Sequence, residues 1–182
     1  MKTTITLLRT GSAVAAAGLL VGMLSACTPD SKPAPKPTKS AAFATDEEAF
    51  AAAEATYAAY VEALNATDLR DSLSFRPVFE WLTGTALASE RENLSYLRAE
   101  NVTRKGETRF DTFTPVSSDD GSVVAHVCLD VTSVDLLDAN GNSVTPVERI
   151  DRRALRVTFV PSTTTTGLKI ASNHAPEGFS CE

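Results

Sequence analysis

The sequence is poor in the residues that build cross-linked or metal-rich scaffolds: three cysteines, two histidines, two methionines and one tryptophan in 182 residues. Three cysteines are too few for a disulfide-dense fold. Positive charge is also short, with 17 Lys and Arg against 23 Asp and Glu, a net charge of -6 and a pI near 5.0. A nucleic-acid binder needs a basic stripe to neutralise phosphates, so that class is excluded as a partner. Neither G-x-S-x-G, a phosphate-binding P-loop nor H-E-x-x-H occurs, which removes three familiar enzyme signatures. What is present is enough for a core: 43% of residues are hydrophobic, too many for a disordered chain. The length allows one ordinary domain with appendages.

Charge is missing locally as well. Residues 1–26 contain no Asp or Glu; Lys2 and Arg9 lie in a short polar start, and Ser12 to Ala26 is a run of Ala, Gly, Leu, Val, Met and Ser. A basic start followed by an apolar run predicts a secretory signal. The run is shorter than the ~20 residues needed to cross a bilayer as a helix. It ends Leu24-Ser25-Ala26-Cys27, which resembles the bacterial lipobox. That resemblance implies cleavage before Cys27 and a diacylglycerol on its thiol, with further acylation such as palmitate. At ~0.8 kcal/mol per buried CH₂, two or three chains hold a protein firmly on a membrane. The expected location is the extracytoplasmic face of the cell membrane, in the cell envelope, with the lipid anchor as the membrane partner.

After lipidated Cys27, residues 28–42 hold four prolines, three lysines and no aromatic residue. Such a piece predicts an extended spacer spanning on the order of 45 Å at ~3.1 Å per residue. Expected boundaries are therefore a signal peptide at 1–26, a lipidated tether at 27–42 and one domain at 43–182. Without Lys2 and Arg9 the chain has 15 basic and 23 acidic residues, a net -8. Leaving out Asp30, Lys32, Lys36 and Lys39 as well gives 12 against 22, so the domain carries -10. That balance disfavours close docking on an anionic surface.

Within the domain, Thr45-Asp46-Glu47-Glu48 has the form of a capping box with acids in the first turn. Phe50, Ala53, Tyr57, Tyr60, Val61 and Leu64 follow at spacings of three and four, the stripe of an amphipathic helix, ended by Asn65 and Thr67-Asp68. A broken stretch from Leu73 to Leu82 contains Pro77, Phe75, Phe79 and Trp81. Thr83-Gly84-Thr85 opens a second helix to about Asn101, with Leu87, Glu90, Leu94 and Leu97 near one side. From Val102 the period becomes two. Strands are predicted at Thr108–Val116, Ser122–Leu136, Ala154–Val160 and Gly167–Ser172, separated by turn signals at Asp119-Asp120-Gly121, Asn140-Gly141 and Pro161 to Gly167. The Asn-Gly pair predicts a two-residue hairpin.

Helix, turn, helix and then about four antiparallel strands is an α+β order, with the N-terminal helices packed on a curved antiparallel sheet. The pieces AFAAAEATYAAYVEALNA, TGTALASERENLSYL and VVAHVCLDVTSVDLLDANGNSV, with a closing Cys, resemble the nuclear-transport-factor-2-like (cystatin-like) roll. More narrowly, they resemble actinobacterial lipoproteins of that fold, over residues 43–182. Leu168 departs from the pattern, which leads one to expect an aromatic residue on the last strand. The resemblance implies a pocket between sheet and helices, as in ketosteroid isomerase-like enzymes, and dimerisation through the sheet face. Tyr57, Tyr60, Trp81 and Asp130 are the candidate pocket residues, since such enzymes need a carboxylate base and a hydrogen-bond donor in a dry cavity.

With Cys27 lipidated, Cys128 and Cys181 remain, and in an oxidising setting an even pair reads as one disulfide. His126, Cys128 and Asp130 alternate along one strand and so share a face. They could begin a zinc or copper site, but no second cluster supplies the missing ligands, and the disulfide removes the thiolate. No metal or other cofactor is expected, nor any catalytic residue. Asn65, Asn93 and Asn101 head N-glycosylation triplets, two of them on or beside predicted helices. Thr163 to Thr166 reads as a turn. The expected function is a membrane-anchored, non-catalytic domain that binds a small ligand or an envelope protein. The alternatives are an isomerase-like enzyme acting on a small apolar ligand, and a structural accessory protein of the envelope.

Overall fold

A computed structural model of the protein describes residues 43–181; the expected signal at 1–26, Cys27 and the expected tether lie outside the described residues. The first helix, α1 (Asp46–Asn65), begins where its capping box predicts. Thr45 is extended, and its hydroxyl accepts from the Glu48 amide at 3.2 Å. The Glu48 carboxylate reaches back to the amide of Ala44 at 2.9 Å, one residue beyond the cap. Its buried side is Ala49, Ala53, Thr56, Tyr57, Tyr60 and Val61, close to the stripe read from spacing. A 3₁₀ turn (Ser72–Phe75) and the five-residue α2 (Arg76–Glu80) occupy the broken stretch. Pro77 is tolerated there because it falls in the first turn, where its missing N–H has no partner to lose.

The next helix, α3 (Gly84–Ala99), starts without a side-chain cap on its amides. The chain is instead fixed by the neighbouring sheet. The Thr83 amide donates to the Ile170 carbonyl at 2.8 Å, and the Ile170 amide donates to the Trp81 carbonyl at 2.9 Å. Six strands follow: β1 (Thr103–Lys105), β2 (Arg109–Asp119), β3 (Ser122–Asp130), β4 (Asp135–Leu137), β5 (Arg152–Pro161) and β6 (Leu168–His174). Four of them form an antiparallel sheet in the order β2-β3-β5-β6, and β1 pairs with β4 in a separate antiparallel ribbon. The β2–β3 turn is made by Asp120 (φ 50°) and Gly121 (φ 78°), the left-handed pair that a tight hairpin requires.

Two expectations change. Ser122–Leu136 is not one strand: it breaks after Asp130 and resumes at Asp135 in the other sheet. The turn is made locally, with the Thr132 amide donating to the Asp130 carboxylate at 2.8 Å and the Val134 amide to the Val131 carbonyl at 2.9 Å, and is braced from a distance. Arg149 donates to the carbonyls of Val131 and Val134, both at 2.9 Å, and holds the chain in a turn between them. Asn140-Gly141 forms a turn but not a hairpin of two full strands. The Asp138 carboxylate accepts from the amides of Asn140 and Asn142, and the chain returns antiparallel to β4 through a bridge from Ser143 to Leu137 and a Val144 amide bond to the Leu136 carbonyl at 2.7 Å.

One face of the four-stranded sheet carries Val123, Ala125, Val127, Val157, Phe159, Leu168 and Ile170, all fully buried. Helices α1 and α3 pack on this face, and the core lies between. Leu168 is fully buried in its place on β6, where the resemblance leads one to expect an aromatic ring. Both sheet edges are guarded, as exposed edges otherwise invite pairing. Residues Trp81 to Thr83 run along β6, bridged at Leu82–Ile170. Strand β2 is bent by irregularities at Asp111/Thr114 and Pro115/Ser117, with Thr112 at φ 54°. Among the described residues no helix is long and apolar enough to cross a membrane.

Candidate functional site

On β5 the period-two pattern places Arg153, Leu155, Val157 and Phe159 on the same side of the strand. Its register partner on β3 is Leu129, which faces the helices. Arg153 therefore stands on the apolar side of the sheet, toward one end of the core. There α1 and α3 part from the sheet, and a cavity of about 470 Å³ opens between them. Its walls are mostly aliphatic. Leu64 and Leu69 come from α1 and the chain after it, and Leu94 and Leu97 from α3. Leu129, Val131, Val134 and Leu136 come from the sheets and their connection, and Ile150 from the segment before β5.

Five polar side chains also line it besides Thr108 and Asn93: Tyr60, Glu90, Arg104, Arg149 and Arg153. Tyr60 is buried at 5% exposure, and its hydroxyl donates to Glu90 Oε2 at 3.0 Å. Burial, followed by the nearby negative charge of Glu90, pushes the Tyr60 phenol well above its ordinary value, so it stays a neutral donor. Glu90 Oε1 accepts from Asn93 at 3.4 Å. Arg104 donates to the carbonyls of Leu64 and Asn65, both at 2.8 Å, and closes the C-terminus of α1. Burial draws the Arg104 guanidinium below its usual range. Arg149 is bound to Asp151 at 2.7 Å besides its two carbonyls. Arg153 alone of the three arginines has no hydrogen bond or ion pair among the described residues.

Of the four candidate pocket residues, Tyr60 lines this cavity. Tyr57 lies one turn earlier, buried in the core with its ring edge-on to Phe110 at 5.0 Å. Trp81 packs against the core beside β6. Asp130 does not join them. It pairs with Arg152 at 3.6 Å and accepts from the Thr132 amide, on the face of β3 opposite Leu129. The isomerase-like pairing of Asp130 with a tyrosine in one cavity is therefore not formed. The carboxylate that reaches Tyr60 is Glu90.

No protein-family model matches the chain, and no curated protein matches it either. Among solved structures the chain is similar to Aln2 from a Streptomyces species. The two are 15% identical, over 71% of this chain and 90% of that one, with a TM-score of 0.44.

The outer face of the sheet holds the second constellation read from the sequence. His126, Cys128 and Asp130 do share that face, and each is engaged by something other than a metal. Cys128 is bonded to Cys181, with Cα atoms 5.7 Å apart. The C-terminal segment that carries Cys181 also lays Phe179 against the His126 ring, centroids 4.7 Å apart. Asp130 is held by Arg152, which in turn grips Asp111 through two hydrogen bonds of 2.9 and 3.0 Å. Among the described residues no group of three His, Cys, Asp or Glu side chains is placed to hold a metal ion. Asn65, the head of a glycosylation triplet, spends its amide on Thr108, donating to its carbonyl and accepting from its N–H. The threonine turn is a docking point. Thr166 meets the buried Thr56 of α1, hydroxyl to hydroxyl, at 2.6 Å.

Two signals for the cavity were present in the sequence. Glu90 is a charge on the apolar stripe of α3, and Arg153 is a charge on the apolar side of β5. Arg104 and Arg149 carry no such signal, since their partners are carbonyls 15 to 40 residues away.

Proposed function

We propose that this chain is a lipid-anchored protein of the extracytoplasmic membrane face whose folded part is a non-catalytic binding domain. Its ligand is a small, mainly apolar molecule held in the cavity between α1, α3 and the sheet. The cavity carries this reading. Its 470 Å³ falls in the range of small-molecule sites, which are largely apolar with a few placed polar groups. The helix–turn–helix–sheet order supports the narrower likeness to the nuclear-transport-factor-2-like roll. The basic start, the apolar run and the Leu24-Ser25-Ala26-Cys27 sequence support the anchor.

Catalysis has less to draw on. Tyr60 and Glu90 satisfy each other, and Asp130 is on the far face of β3. Native mass spectrometry of the full chain from phosphatidylcholine nanodiscs tests the binding reading. A small non-covalent mass increment is expected that is lost when Leu97→Trp fills the cavity. Finding no increment, with no uptake of added octyl-chain compounds, rules the reading out.

A further inference from the structure

The domain from residue 43 onward carries -10, yet the cavity wall reverses that sign. Arg104, Arg149 and Arg153 face it against Glu90 alone. Counting Asp151, which binds Arg149 from outside the wall, the site is still positive. Clefts lined by one sign of charge with low-dielectric walls concentrate ligands of the opposite sign. The partners of the charged groups then decide which is available. Arg104 and Arg149 are committed to main-chain carbonyls. Glu90 is committed to Tyr60 and Asn93. Arg153 is exposed, lines the cavity and has no partner among the described residues.

We propose that the ligand is an amphipathic monocarboxylate, its carboxylate held by Arg153 at the mouth and its apolar body lying inward against Leu94, Leu97 and Leu129. A planar guanidinium matches a carboxylate through paired N–H donors. The buried Leu94 and Leu129 offer an aliphatic wall to the tail. Glu90, the one carboxylate lining the cavity among the described residues, disfavours a second anionic group beside it, which separates monocarboxylates from dicarboxylates. This inference rests on the binding reading above, and the test separates their failures.

Octanoate, 1-octanol and octylammonium share one tail and differ in head charge. Each is titrated calorimetrically into the full chain in phosphatidylcholine nanodiscs, with empty-disc heats subtracted. Octanoate is expected to bind roughly tenfold tighter than octanol, the size of one charge-assisted hydrogen-bonded contact at a solvated site, and octylammonium weakest. Arg153→Gln should remove that advantage and leave octanol unchanged, whereas Arg153→Lys should restore part of it. Equal binding of octanoate and octanol, tighter binding of octylammonium, or an octanoate affinity indifferent to Arg153→Gln overturns the carboxylate inference while the cavity remains a binding site. Binding of none of the three overturns both readings. The Arg153 side chain makes no hydrogen bond or ion pair among the described residues, so the variants are expected to keep the wild-type unfolding midpoint, and that measurement accompanies the titrations.

Discussion

At Gly106 the backbone adopts φ +76°, and a methyl group added there would land on the carbonyl oxygen of Ser133. The same serine bridges back through its hydroxyl, donating to the Glu107 carbonyl at 2.8 Å and accepting from the Glu107 amide at 3.3 Å. The glycine thus lets two connections of the small ribbon touch. Gly106→Ala combines a left-handed penalty of about 1–2 kcal/mol with displacement of main chain. A loss of about 3 kcal/mol is expected, read as a lower urea midpoint with an unchanged slope. A loss below about 1 kcal/mol would mean that the contact relaxes freely. Gly141, by contrast, has nothing within 4 Å of such a methyl. Alanine there meets only the cost of its positive φ.

His126 sets a pH dependence at the same scale. Burial, and then the neighbouring positive charge of Arg156, lower its pKa from 6.5. A group whose folded pKa is depressed stabilises the fold fully above its unfolded value, and that contribution fades as pH falls through the folded one. The carboxyls of Asp111, Asp130, Asp135 and Asp138 are likewise held below 3.8, chiefly by hydrogen bonds from Arg152, Thr132, Ser143 and Asn142 respectively. Their contributions are intact above 3.8 and fade below it. Thermal midpoints should therefore begin to slip as pH drops below 6.5 and fall more steeply below 3.8. His126→Gln should flatten the first decline and leave the second. A midpoint constant from pH 7 to 4 would sink the assignment to His126.

Among the elements, local signals were the readable ones. The cap at Thr45, the Asp120-Gly121 turn and the Tyr57–Tyr60–Leu64 stripe depend on neighbours within a few residues, and each is found where it was predicted. The end of β3 and the start of β4 did not stand out, because Asp130 and Thr132, which make the turn, sit among strand-forming valines and the brace from Arg149 comes some 15 residues on. The cavity is of the second kind. Glu90 stood out as a charge beside the leucines of its helix, but only the meeting of α1, α3 and β5 shows that it and Arg153 line one space. Arg104 shows the same dependence at a helix end. The last turn of α1 has no basic residue of its own, so its carbonyls and its dipole are met by a guanidinium from β1. Arg104→Ala should cost about 1–3 kcal/mol, since it strips charge-assisted hydrogen bonds from partly buried carbonyls. Faster amide exchange should appear over Glu62 to Ala66 before the start of α1. Uniform exchange along the helix would argue against a capping role.

At the scale of the whole molecule, the sheet has two covered faces of different origin. The inner face is covered by helices that follow from the hydrophobic pattern. The outer face is crossed by a short polar tail that has little apolar surface to hold it, with Phe179 on His126 as its aromatic contact. Its attachment depends on the Cys128–Cys181 bond, which closes a loop across 53 residues. By chain entropy such a closure is worth roughly 4 kcal/mol, a large share of the 5–15 kcal/mol typical of a domain. Reduction, or Cys181→Ser, is therefore expected to lower stability by about that amount. It should also release Phe179 and raise the His126 pKa toward 6.5, because the ring that shields the imidazole leaves with the tail. Histidine resonances followed by NMR across the titration report the second effect, and denaturation the first. Loss of stability without movement of the His126 titration would show that the tail stays on the sheet by its own contacts. The bond would then be acting on the unfolded chain alone.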